Sequence, residues 1–118
     1  MLLHVAAGIG YRNRRTVKQR VIYCALEGHG GIDNRVIAAA QEIGITEAPF
    51  ALVKATDNFR DPETAERVGN VPNELVQQFG GDNRIIAIDT YQAALGPGGS
   101  DCDLAAVSEF IQNVQRYL

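Results

Sequence analysis

Three short apolar runs alternate along the chain with longer segments in which apolar residues recur every three or four positions. The run at residues 49–54 is a short predicted strand that begins with a proline. The runs at residues 21–26 and 84–89 show little alternation between apolar and polar positions. Such runs are typical of parallel strands that are covered on both faces. Because predicted helices separate the strands, the pattern predicts an α/β fold, a three-layer sandwich around a small parallel-type sheet.

The predicted helices of the first half are bounded by glycine. The apolar segment at residues 1–10 is predicted to be the end of a helix, which Gly8 or Gly10 terminates. The glycine-rich loop 28–31 leads from the first strand into a helix predicted at 32–43. This order of strand, glycine loop and helix is half of a βαβ unit.

The predicted helices of the second half carry clear start signals. Asp61 and the proline after it begin a helix predicted to reach Phe79, although Gly69 and Pro72 predict that its middle is weak or broken. A turn at 80–83 leads to the third strand.

After that strand, residues 91–95 lead into a flexible segment at 96–99. Ser100 or Asp101 is the predicted cap of the last helix, whose apolar stripe runs through 104–118.

Composition favours one ordinary globular domain spanning residues 1–118. The chain has 46% hydrophobic and 21% charged residues and a net charge of −3. No apolar run approaches the roughly 20 residues of a spanning helix, so no membrane segment is predicted. Cys24 and Cys102 lack metal-ligand spacing and predict reduced thiols in a cytoplasmic protein. The basic cluster at 12–20 is either a solvated connection or a contact for phosphate or an acidic partner.

Carboxylates stand where two of the predicted strands end, Glu27 after the first and Asp89 at the third. Right-handed crossovers would bring both to one edge of the sheet. Asp89 could hold Mg²⁺, and Glu27 could orient or deprotonate a water for phosphoryl transfer. Each acid also has a purely structural interpretation, Asp89 as a strand end and Glu27 as an exposed loop residue.

Other reactive side chains carry weaker signals. His29 could be a ligand or proton carrier, but a histidine in a glycine turn is also simply exposed. Cys24 is most simply a small buried hydrophobe.

Taken together, three segments resemble the RepA-like branch of the AAA/RecA-type ATPases, which are plasmid and phage replication helicases and their relatives. The segments are VIYCALEGHGGIDNRV at 21–36, PFAL at 49–52 and IIAIDTYQAALG at 85–96. The resemblance implies a RecA-like core, ATP and Mg²⁺ as ligands, Glu27 as catalytic glutamate and Asp89 as the Walker B aspartate. It also places Arg35 on an arginine common in the family and makes DNA a possible partner.

The chain departs from that family in one respect above all. No G-x-x-x-x-G-K-[ST] phosphate loop occurs in the 118 residues. We therefore expect a truncated RecA-like domain that binds ATP weakly, if at all, and does not hydrolyse it alone. In such a core the strand ending at Asp89 would have an uncovered edge, which predicts a homodimer. Two alternatives stay open: a non-enzymatic interaction module, and an unrelated flavodoxin-like or receiver-like domain.

Overall fold

The computed structural model describes residues 1–81 and 83–118, so Asp82, within the turn predicted at 80–83, lies outside the described residues. Strands and helices alternate as the apolar pattern predicts. In chain order the elements are α1 (Leu2–Ala7), β1 (Arg20–Ala25), α2 (Ile32–Glu42), β2 (Phe50–Lys54), α3 (Pro62–Phe79), β3 (Arg84–Asp89), α4 (Tyr91–Leu95) and α5 (Leu104–Tyr117).

The three strands form a parallel sheet in the order β2-β1-β3, which confirms the α/β prediction. Tyr23 of β1 lies opposite Leu52 of β2 and Ala87 of β3. Central β1 is buried along its length, apart from half-buried Tyr23. Strand β3 was expected to be covered on both faces. It lies at the sheet edge instead, and its apolar residues are only half-buried.

Helices α3, α4 and α5 cover one side of the sheet, here called the core face. Side chains alternate along a strand, so Ile22 and Cys24 of β1 point to this side. They pack in one cluster with fully buried residues of the helices and their loops, namely Phe59, Ala65, Val68 and Ala94.

Helix α3 runs without interruption through Gly69 and Pro72, so the predicted break is wrong. Both residues are buried, and burial in the core outweighs their poor helix propensity. Arg20 Nη1 donates a hydrogen bond to the Pro72 carbonyl at 2.9 Å. Asp61 caps the helix as predicted, accepting from the Glu63 amide at 3.0 Å.

Two other boundaries correct the predictions. Residues 91–95, for which no helix was predicted, form helix α4. Thr90 caps this helix, since its Oγ1 accepts a hydrogen bond from the Ala93 amide at 3.3 Å. Helix α5 is capped by Asp103, which accepts from the Ala105 amide at 3.0 Å, and not by Ser100 or Asp101. The helix begins only at Leu104, so both predicted caps lie too early in the chain.

The other side of the sheet, here called the open face, carries Val21, Tyr23 and Ala25 of β1 and is flanked by α1 and α2. Helix α1 ends at Gly8, whose positive φ of 74° matches the predicted glycine stop. Helix α2 follows the glycine loop as predicted, yet only Ile32 within it is buried. Among the described residues, no helix is long and apolar enough to cross a membrane.

Candidate functional site

Glu27 and Asp89 meet at the carboxyl edge of the sheet. Ala25 lies opposite Asp89 in the register of β1 and β3, and the Leu26 amide donates to the Asp89 carbonyl at 2.7 Å. Glu27 follows directly, and its Oε1 accepts from Thr90 Oγ1 at 2.8 Å. The predicted convergence of the two acidic strand ends on one edge is therefore confirmed.

Thr90 is a site residue that the sequence argument missed. Its hydroxyl has two roles, since it caps α4 through the Ala93 amide and donates to Glu27. The Asp89–Thr90 peptide bond is cis. A threonine directly after a strand-ending aspartate and before a helix was the available signal, because threonine commonly caps helices.

Tyr23 is the second residue that was missed. Its hydroxyl donates a hydrogen bond to Asp89 Oδ2. This bond raises the pKa of Tyr23, burial and the charge of Asp89 raise it further, and Arg35 opposes them. The phenol therefore stays protonated at neutral pH and competes with any cation for one oxygen of Asp89. The available signal was strand alternation, which puts Tyr23 on the same face as the residue opposite Asp89.

The remaining predicted residues have less direct roles. The His29 ring nitrogen Nε2 lies 2.9 Å from the Ala25 carbonyl, so the ring donates to the backbone and ties the glycine loop to β1. Cys24 is fully buried, as predicted, and burial raises the pKa of its thiol to about 12. Arg35 lies in the first part of α2 and acts electrostatically on Tyr23.

The oxygen atoms at this edge fit a hard, partly hydrated cation. Mg²⁺ is commonly bound through one or two carboxylates while it keeps several waters. Glu27 and Asp89 are exposed and supply such carboxylates, with the Thr90 hydroxyl beside them. In residues 1–81 and 83–118, no group of three or more His, Cys, Asp or Glu side chains is arranged to hold a metal ion. A cation here would therefore depend on water or phosphate for its other ligands.

Comparison of the chain with protein-family models, with curated proteins and with solved structures finds no match. The similarity to RepA-like ATPases accordingly stays a prediction from the residues at 21–36, 49–52 and 85–96. The pairing of β1 with β3 brings Glu27, Asp89 and Thr90 together at the carboxyl edge of the sheet.

Proposed function

We propose that this chain provides the acidic half of a RecA-like ATPase site of the RepA type. In this proposal Asp89 holds Mg²⁺, and Glu27 orients or deprotonates the attacking water. The supporting observation is the placement of the two carboxylates at the carboxyl ends of adjacent parallel strands, where ligands of open α/β sheets bind.

The side chains around the two acids define what each would do. Thr90 holds Glu27 Oε1, so it orients the carboxylate and leaves Oε2 to accept a proton from water. Asp89 shares Oδ2 with the Tyr23 hydroxyl and would present its other oxygen to the cation. When bound, Mg²⁺ would neutralise charge on the phosphate oxygens during transfer.

Phosphate binding would have to come from outside the 118 residues, because their sequence contains no phosphate loop. Loop amides and lysine provide much of the electrostatic stabilisation in phosphoryl transfer. We therefore propose that the chain alone binds ATP weakly and hydrolyses it negligibly. Micromolar binding of a fluorescent ATP analogue with Mg²⁺, abolished by Asp89→Ala, would contradict this part of the proposal.

The metal-binding role can be tested on the chain alone with Mn²⁺, a paramagnetic substitute for Mg²⁺. In ¹H–¹⁵N NMR spectra, Mn²⁺ should broaden amide signals around 25–29 and 89–91 first. Asp89→Asn should remove this selective broadening, and Glu27→Gln should weaken it. Glu47→Gln is the matched control, because Glu47 is exposed and precedes the amino end of β2, away from the acidic edge. Broadening that survives Asp89→Asn would refute the assignment.

For a partner, we propose a second copy of the chain at the outer edge of β3. Within the described residues β1 is the only strand that pairs with β3, and apolar residues 85–88 are half-buried. An uncovered edge of this kind offers backbone donors and acceptors to another strand. A purely structural interaction module would use the same edge, but it would not need selective cation binding at Asp89.

Light scattering tests the partner proposal, and a monomer at micromolar concentration would overturn it. Ala87→Lys should convert a dimer to a monomer, because a lysine at a strand edge blocks strand addition. The control is Leu52→Lys, since Leu52 and Ala87 lie opposite the same Tyr23 on the two outer strands. Leu52→Lys should leave the dimer intact.

A further inference from the structure

A cavity of about 610 Å³ opens on the open face, between α1 and α2 and over Tyr23 and Phe50. Its volume falls within the roughly 300–1,000 Å³ typical of small-molecule sites. The lining is mainly apolar and includes Leu2, Leu3, Ile32, Val36, Ala39 and Ile43. The cavity is open to solvent, so its apolar lining is accessible to a ligand.

The polar side-chain groups at the cavity come from five residues, His4, Tyr11, Tyr23, Arg35 and Glu42. Arg35 contributes a guanidinium that makes no ion pair with any residue in the described part of the chain. His4 also lines the cavity, and its Nδ1 is buried without a hydrogen-bond partner among the described residues.

The charged residues of α2 make one end of the cavity positive and the other end negative. Arg35 lies near the start of the helix and Glu42 at its end, and both line the cavity. They are separated by about 10 Å along the axis, from the rise of ~1.5 Å per residue. An anionic group is therefore favoured at the Arg35 end and disfavoured at the Glu42 end.

We propose that this cavity binds a small amphipathic anion, with an apolar body and one terminal carboxylate, such as a medium-chain fatty acid. The apolar body would contact the lining side chains of α1 and α2, and its removal from water would drive binding. The carboxylate would pair with the Arg35 guanidinium, which offers a bidentate fork to such groups. This proposal does not rest on the ATPase proposal, because the binding of the anion requires neither phosphate nor a cation.

The test is a ¹H–¹⁵N NMR titration with decanoate, kept below the concentration at which it forms micelles, and with decanol as the uncharged analogue. Saturable shifts should be confined to α1, α2 and the strand residues beneath them. Decanoate should bind about tenfold more tightly than decanol, as one charge-assisted contact predicts.

Two substitutions and a control identify the groups involved. Arg35→Gln should remove the preference for decanoate, and it should not disturb the fold because Arg35 is exposed. Arg67→Gln is the control, since Arg67 is also exposed but lies on α3. Ala39→Phe should fill the cavity and abolish binding of both ligands.

Four results would overturn the proposal, and the first three come from the titration. These are no saturable shifts at sub-millimolar ligand, equal affinity for decanoate and decanol, and shifts spread over the core face. A fourth is a dimer that Ala39→Phe converts to a monomer in light scattering. That result would assign the cavity to contact with a second copy of the chain.

Discussion

The two sides of the sheet differ in how completely their helices cover it. On the core face, long helix α3 has a side-chain cap and places fully buried Val68 against the sheet beside Phe59. On the open face, α2 buries only Ile32, exposes 54% of Ile37 and leaves a cavity beneath it. The helices therefore cover the core face more completely than the open face, where a cavity lies between α1 and α2.

The largest effect should come from removing a core-face aromatic ring. Phe59 is fully buried and lies edge-to-face with Phe110 at 6.4 Å between ring centroids, so Phe59→Ala should lower the free energy of unfolding by about 3–5 kcal/mol. Phe50→Ala, at a half-buried position on the open face, should cost less than half as much. Urea unfolding measures both losses of free energy. Equal losses would contradict the conclusion that the core face is more completely packed than the open face.

The next largest loss of stability should come from a substitution at Gly69, where the backbones of α3 and α5 approach closely. A Cβ at Gly69 would lie 2.0 Å from the Tyr117 carbonyl oxygen, so α3 and α5 would have to separate. Gly69→Ala should therefore destabilise by about 1–3 kcal/mol through overpacking, although alanine is the better helix former. Gly30→Ala serves as the control before α2, because no described heavy atom lies within 4 Å of its added Cβ. A Gly69→Ala protein with a raised unfolding midpoint would refute this packing argument.

The two cysteines should differ in their reactivity toward a thiol reagent, because only one of them is buried. Cys24 is buried on the core face, whereas Cys102 is exposed. Ellman's reagent at pH 8 should modify Cys102 at once and Cys24 only as the protein unfolds, because the thiolate is the reactive species. Rapid modification of both thiols in the native protein would contradict the burial of Cys24.

The same thiol should contribute a pH dependence of stability. Burial raises the pKa of Cys24 to about 12, above the roughly 8.5 of a free thiol, so the native state holds this proton to higher pH than the unfolded state. The contribution of the Cys24 thiol to the free energy of unfolding is complete below pH ~8.5 and is lost as the pH rises toward 12. Comparing urea midpoints of the wild type and Cys24→Ala across this range isolates the effect.

The smallest effect should come from the hydroxyl that joins the open face to the acidic edge. Tyr23→Phe removes the donor to Asp89, so the carboxylate has both oxygens free for a cation. Mn²⁺ affinity in the NMR titration should rise by a small factor, while the unfolding midpoint changes little. Weaker Mn²⁺ binding would instead mean that the tyrosine helps to position Asp89.

Local signals predicted the parts of this fold that local chemistry determines. The apolar runs located the strands, Asp61 located the start of α3, and the strand ends at Glu27 and Asp89 predicted the shared edge. These predictions succeed because propensity, capping and alternation agree at those positions.

Features that depend on distant neighbours were not predictable in the same way. The sequence cannot show that burial carries α3 through Pro72, or that Asp103 rather than Asp101 caps α5, since each aspartate is a good cap. Nor does the apolar spacing of α2 reveal whether the face it presents is covered, so the cavity appears only in three dimensions. The bond between Tyr23 and Asp89 depends on the pairing of β1 with β3, which one sequence does not specify.

Tyr23 belongs to the cavity lining and to the acidic edge at once. A ligand that turns its hydroxyl away from Asp89 removes the donor that competes with a cation for the carboxylate. Thermodynamic linkage then demands the converse with equal strength, so a cation on Asp89 changes the affinity of the cavity for its ligand by the same factor. If both proposed sites bind their ligands, a titration of Mn²⁺ in the presence and absence of decanoate would measure this coupling through Tyr23.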